Sequence, residues 1–251
     1  MQKSTFTIII LAILSACNSN SPSTGGSAST NDGVSGSEAL YKRANEMGDD
    51  ITAIVALNQM LLSDSGNLEY KDSLARLYLR NRKTEPGLKL GLEVLNTGKE
   101  NNSLLELVSF AQEVSGEDEQ ALKGFTTLFE KTKDGKYKYE IAKIQYQSGD
   151  FGSANKTLDD IIKDKEIESQ IEFLAQKGTQ EVSIKAAAYF LKAQVAIDQN
   201  KSVDALNHLR QAVTISPNFE QAQYAIQQLQ SIVAQQREQA ELQRLQQKFG
   251  K

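Results

Sequence analysis

Few residues in this chain have the type and setting for chemistry. The one thiol is Cys17 and the one imidazole is His208. A single thiol behind the small residues Ser15 and Ala16 is a nucleophile open to modification, and with no second cysteine no internal disulfide forms. His208 has no cysteine or carboxylate cluster at ligand spacing, so it lacks partners for a metal or a proton relay; helical alternation puts it on the surface. Paired carboxylates perform acid–base work when a cleft holds them together. Here Asp49-Asp50, Glu117-Asp118 and Asp159-Asp160 fall at turns or on exposed helix faces, where acidic residues serve as N-terminal helix charges. No glycine-rich phosphate loop, nucleophile elbow or zinc-binding helix motif occurs. The expectation is no catalytic residue, no metal site and no cofactor: not an enzyme.

What positions Cys17 is the segment before it. Residues 6–14 are an apolar run behind Lys3, about half the ~20 residues that a membrane-spanning helix needs. The run fits the hydrophobic region of a secretory signal, which ends in small residues at the cut. Leu14-Ser15-Ala16-Cys17 resembles the bacterial lipobox. The resemblance implies a signal peptide over residues 1–16, diacylglycerol on the Cys17 thiol, cleavage before Cys17, and acylation of the freed amine. Three chains buried at ~0.8 kcal/mol per CH₂ make release from a membrane negligible. Asn18, not Asp, follows the cysteine. In the enterobacterial sorting pattern this implies the outer membrane, and with no acidic cluster behind it the expected orientation is toward the periplasm.

Residues 17–37 begin with the lipidated cysteine and continue as Ser, Gly, Asn and Thr, a disordered linker. Such a coil spans roughly 25 Å over twenty residues. From residue 38 the composition turns to Ala, Leu, Glu, Lys and Gln, the strong helix formers. The chain has three prolines and no Trp, so few breakers interrupt those helices. Removing residues 1–16 takes away Lys3 and moves the formal charge from −4 to −5. An acidic domain of this kind is a poor nucleic-acid binder.

A repeat organises residues 38–217. Ala53, Gly87, Ala121, Ala154 and Ala205 align at spacings of 34, 34, 33 and 51. Five positions upstream of each stand Gly48, Arg82, Gly116, Gly149 and Asn200, mostly residues that tolerate a left-handed helix end. Further upstream lie a large and a small residue, Leu74-Ala75, Val108-Ser109 and Ile141-Ala142. With KYEIAKIQYQSGDFGSANKTLDDII as its best copy, this resembles the tetratricopeptide repeat, a 34-residue pair of antiparallel helices. The implied fold is an all-α solenoid of about five helix pairs, each burying its apolar face only against its neighbours. The 51-residue interval holds an insertion over 166–185. Ile171, Phe173, Val182 and Ile184 would share one face of a small β-hairpin turning at Gln176-Lys177-Gly178-Thr179. A helix through IESQIEFLAQK ended by Gly178 is the alternative. After Pro217, residues 218–249 form a long helix whose stripe of Ala222, Ile226, Leu229 and Val233 suits a terminal cap. Its Gln-rich end either projects to a partner or is a solvated terminus.

The resemblance also implies a concave groove lined by the first helix of each pair. Its positions here include Asp72, Arg76, Leu79, Arg80, Glu106, Phe110, Glu113, Tyr139, Lys143, Tyr146, Phe190, Gln194 and Ile197. The candidate peptide contacts among them are Arg76, Arg80, Phe110, Tyr139, Lys143, Tyr146, Phe190 and Gln194, aromatic and cationic groups suited to an extended peptide with acidic or apolar side chains. The basic clamp of chaperone-binding members is not reproduced, since its positions hold Asp72 and Glu106. The function expected is a membrane-anchored, non-catalytic scaffold of the bacterial envelope that binds a protein or peptide. Solute capture for a nutrient importer, or an accessory role beside an envelope enzyme, are the alternatives.

Overall fold

In the computed structural model, residues 30–249 are described; the signal, Cys17 and the segment up to residue 29 lie outside them. The described chain forms ten helices in five antiparallel pairs: α1 (Thr30–Met47) with α2 (Asp50–Ser63), α3 (Leu68–Arg80) with α4 (Thr84–Leu95), α5 (Asn102–Val114) with α6 (Asp118–Thr132), α7 (Gly135–Gln147) with α8 (Phe151–Lys163), and α9 (Ile184–Asp198) with α10 (Ser202–Ile215). A two-stranded sheet, β1 (Gln170–Ala175) and β2 (Gly178–Ser183), stands between α8 and α9, and α11 (Glu220–Phe249) closes the array.

The five pairs turn identically, for a stereochemical reason. Gly48, Arg82, Gly116, Gly149 and Asn200 all have positive φ, between 57° and 79°. Each ends its helix in the left-handed conformation, so the next backbone N–H reaches back to a carbonyl of the last turn. These bonds run from Asp49, Lys83, Glu117, Asp150 and Lys201 to Ala44, Tyr78, Gln112, Gln145 and Ala196, all at 2.8–2.9 Å. The same five residues then open the second helix, their carbonyls accepting from Ala53, Gly87, Ala121, Ala154 and Ala205. Asp49 and Asp150 also cap with their side chains, accepting from the N–H groups of Thr52 and Ser153 at 3.0 Å.

That phase puts the small residues in a buried column. Ala121, Ala154 and Ala205 are fully buried, as are Ser109, Ala142 and Ala193 on the first helices of the same pairs. Large side chains fill the space between pairs: Leu57, Leu74, Leu104, Phe125, Leu158 and Leu209 are all within 1 % of complete burial. Ala154→Leu is therefore expected to destabilise the protein by roughly 1–3 kcal/mol through overpacking. A shift of the urea midpoint to lower concentration checks it, and an unchanged midpoint would contradict the close contact.

The insertion is the hairpin. Ile171 pairs with Val182 and Phe173 with Gln180, around a two-residue turn of Gln176 and Lys177. Ile184 is not on its face; it is the first residue of α9, buried against Ile167 and Leu191. Phe173 meets Phe219 at 4.8 Å between ring centroids and Phe190 at 6.0 Å, pinning the hairpin to α9 and to the entrance of α11. Backbone and side-chain bonds add to this, from Gln176 N–H to Glu220 Oε2 at 2.7 Å and from Gln221 Nε2 to the Leu174 carbonyl at 3.1 Å.

Two boundaries differ from the sequence reading. α1 starts at Thr30, inside the segment assigned to the linker. Its body, residues 38–47, packs through Tyr41 and Ala44, and extending an existing helix is far cheaper than nucleating one. α11 starts at Glu220, after Phe219 has turned into the core.

Candidate functional site

The face built by α3, α5, α7, α9 and α11 carries the candidate residues, but most of them are already engaged. Arg76 donates from Nε to both Asp72 oxygens at 3.0 Å and from Nη2 to Asn101 Oδ1 at 2.8 Å, fastening α3 to the cap of α5. Lys136 reaches Glu106 at 3.0 Å, joining α7 to α5. Lys143 contacts Glu113 at 3.2 Å and also Glu140, while its ammonium lies over the Phe110 ring. The Tyr146 hydroxyl donates to Asp198 Oδ2 at 2.8 Å, joining α7 to α9. Arg80 turns aside to Asp50 Oδ1, 3.3 Å away at the start of α2. A ladder of charged contacts thus ties successive first helices together, and an acidic ligand would have to displace these carboxylates to reach its cations.

Two more candidates are largely buried. Tyr139 is 7 % exposed, packed with Leu158, Ile184 and Leu191, and burial raises its phenol pKa. Phe190 is 9 % exposed, in the Phe173–Phe219 cluster. Both are covered by what the insertion brings in, since α9 packs across α7 and the hairpin lies over α9. Phe110 is half-buried, its ring meeting Phe125 edge-on at 4.9 Å, and Gln194 is half-buried on α9.

The Glu113–Lys143–Glu140 group places two carboxylates against one ammonium. Glu140 Oε2 is buried against the Lys143 ammonium, and burial, opposed by Lys143, raises its pKa above the ordinary 4.5. A carboxyl whose folded pKa is raised holds its proton better in the folded than in the unfolded state. Its effect is thus a loss of stability as pH rises from about 4.5 through the folded value. Glu140→Gln should raise stability at pH 7, because Lys143 keeps Glu113. The gain should shrink toward pH 4.5, where the native carboxyl is protonated. Paired urea melts at the two pH values check this, and a loss at pH 7 would mean that the attraction to Lys143 outweighs burial.

Open apolar surface lies elsewhere on the same face. One pocket of about 510 Å³ opens between the hairpin and α11, with Phe190 in its wall and Leu174, Tyr224 and Ala225 around it. Leu174 is 73 % and Tyr224 65 % exposed. A second, of about 520 Å³, is lined by Leu79, Leu107, Phe110 and Val114 between α3 and α5. Sequence reasoning misses the first although a signal exists: Tyr224 follows Phe190 by 34 residues, one repeat further on.

The residues weighed for chemistry take structural positions. His208 is half-buried beside Tyr189 rather than on the open surface, and desolvation, followed by nearby Lys192, lowers its pKa. Asp49 and Asp150 cap helices, while Asp159 is paired with Lys192 and Lys163. Among the described residues no group of three His, Cys, Asp or Glu is placed to hold a metal ion, and no helix is long and apolar enough to cross a membrane.

Comparison with solved structures places this architecture among tetratricopeptide-repeat solenoids. The MamA protein superposes with a TM-score of 0.58 at 12 % identity, over 76 % of this chain and 96 % of that one. YrrB, described as a TPR protein with an unusual peptide-binding site, gives 0.58 at 13 % identity over 79 % and 94 %. The C-terminal part of a TPR repeat-containing protein from Cytophaga hutchinsonii gives 0.55 at 13 % over 78 % and 69 %. No protein-family model matches the chain, and no curated protein matches it in sequence. The protein has the tetratricopeptide-repeat fold that these neighbours share.

Proposed function

We propose that this protein is a non-catalytic scaffold, anchored to the bacterial outer membrane through lipid on Cys17, that holds a protein or peptide partner on its first-helix face. The observation that carries the reading is the contrast on that face: charged residues are tied to one another, while two pockets of about 510 and 520 Å³ leave apolar walls open. A partner therefore presents apolar or aromatic side chains in an extended segment. The peptide-binding site named for YrrB, a protein of the same fold, supports this use.

Tyr224 is the residue to test, because it is open and its ring borders the first pocket. Exposed aromatics supply much of the binding energy at interfaces, so Tyr224→Ala should weaken capture of a co-purifying partner by about tenfold or more with folding unchanged. The measurement is a titration of the partner recovered from detergent-solubilised membranes against wild type and variant. Full affinity in Tyr224→Ala, with loss only when the chain is truncated after Val233, would move the docking element to the end of α11.

A further inference from the structure

The second helices show one outward face that does not follow the others. At the position of Ile51 the later pairs carry Glu85, Glu119, Gly152 and Val203; at that of Val55, Lys89, Lys123, Lys156 and Asn207; at that of Leu62, Asn96, Glu130, Lys163 and Thr214. In α2 alone all three are apolar, and they are open: Ile51 is 76 %, Val55 49 % and Leu62 87 % exposed, with Met47 of α1 beside them at 72 %. Spaced i, i+4 and i+11, they lie along one side of the helix, interrupted at i+7 by Asn58, opposite the buried Ala53, Ala56, Leu57 and Met60. Large apolar side chains left open together on one face mark a surface that something covers.

The position of the stripe indicates what covers it. Ser37 near the start of α1 bonds Gln59 of α2 at 3.1 Å, so the chain enters the fold at the Leu62 end of the stripe. Cys17 lies only thirteen positions before Thr30, a span of at most about 45 Å when fully extended and roughly 20 Å as a coil. Resting on the reading of Cys17 as the lipidated residue, we infer that the outer face of α2 sits on the bilayer, with Ile51, Val55 and Leu62 in the interface between headgroups and acyl chains. Asp49 and Asp64 flank the helix, so the attraction is apolar and needs no anionic lipid. The seat fixes the orientation of the array at the membrane, which attachment through Cys17 alone leaves free.

The test uses the full chain, lipidated in its host, purified in detergent and returned to phosphatidylcholine–phosphatidylethanolamine vesicles. Acylation converts the Cys17 thiol to a thioether, so a cysteine introduced by Val55→Cys is the only thiol left for an environment-sensitive fluorophore. Lys123→Cys, the same position two repeats on, is the reference. The expected result is a blue shift at position 55, loss of most of its emission to a nitroxide carried on the acyl chains, and neither at position 123. Persistence of both effects in high salt is part of the expectation. A vesicle-bound protein whose label at 55 behaves like that at 123 overturns the seat and leaves the anchor standing. A label at 55 that shifts without vesicles as protein concentration rises overturns it in favour of a second copy on the stripe. A mature chain without lipid mass overturns the seat and the anchor together.

Discussion

Gly124→Leu should cost the array about 3 kcal/mol or more, the top of the range for overpacked cores. Gly124 lies in α6 three residues after Ala121, where α5 and α6 cross most closely. A methyl carbon built there overlaps the Ser109 hydroxyl and comes within 3.0 Å of Ser109 Cβ and 3.7 Å of Leu105 Cδ1. Ser109 cannot easily yield, since its hydroxyl donates to the Leu105 carbonyl at 2.8 Å and the residue is fully buried. Leucine gains about 0.8–1 kcal/mol in helix propensity over glycine, too little to offset separating two helices in the middle of the stack. Coupling gives the sharper form of the prediction. Gly124→Ala alone should destabilise, and in a Ser109→Ala background it should cost much less, because the overlapping oxygen is gone. Urea melts of the four-member cycle measure this; equal costs in both backgrounds would mean that the contact is looser than the built geometry.

Legibility in the sequence follows how few residue types each position tolerates. A left-handed helix end accepts glycine and, with some strain, asparagine or a residue such as Arg82, so all five turns can be read from residue type and spacing. The alanine column is legible for the same reason, because a close helix crossing admits little else. Gly124 is not, since it stands three places from the aligned position and glycine inside a helix reads only as a weakness. The groove face is open at Leu79 and Phe110, on α3 and α5. It loses meaning at Tyr139 and Phe190 because the insertion changes which surfaces are free, and no local pattern says that a hairpin will be folded over α9 by Phe173 and Phe219. The charge ladder is equally hidden: Lys136 and Glu106, or Tyr146 and Asp198, are far apart in the chain, and only stacking brings them within 3.0 and 2.8 Å. Arg76 and Lys143 therefore look like hooks for a ligand when they are fasteners between repeats.

The second large effect is all-or-none. On the proposed lipid anchor, Cys17→Ser should leave the protein unlipidated and retained as uncleaved precursor. The chemistry requires a thiolate: the diacylglycerol is carried on sulfur, and a serine hydroxyl, with a far higher pKa, does not replace it as nucleophile. No second thiol exists to substitute, as Cys17 is the only cysteine. Cleavage follows the lipid, so a chain that cannot be modified keeps residues 1–16, with an apolar run too short to span a bilayer stably. The described domain contains none of these residues and should fold unchanged, which separates a loss of anchoring from a loss of structure. Metabolic labelling with a fatty-acid analogue, read together with the mass of the mature protein, makes the measurement. Undiminished label in Cys17→Ser would end the lipoprotein reading. Label lost with cleavage intact would instead assign residues 1–16 to an ordinary secretory signal. The array would then be free in its compartment, and the apolar stripe of α2 would need an occupant other than a bilayer.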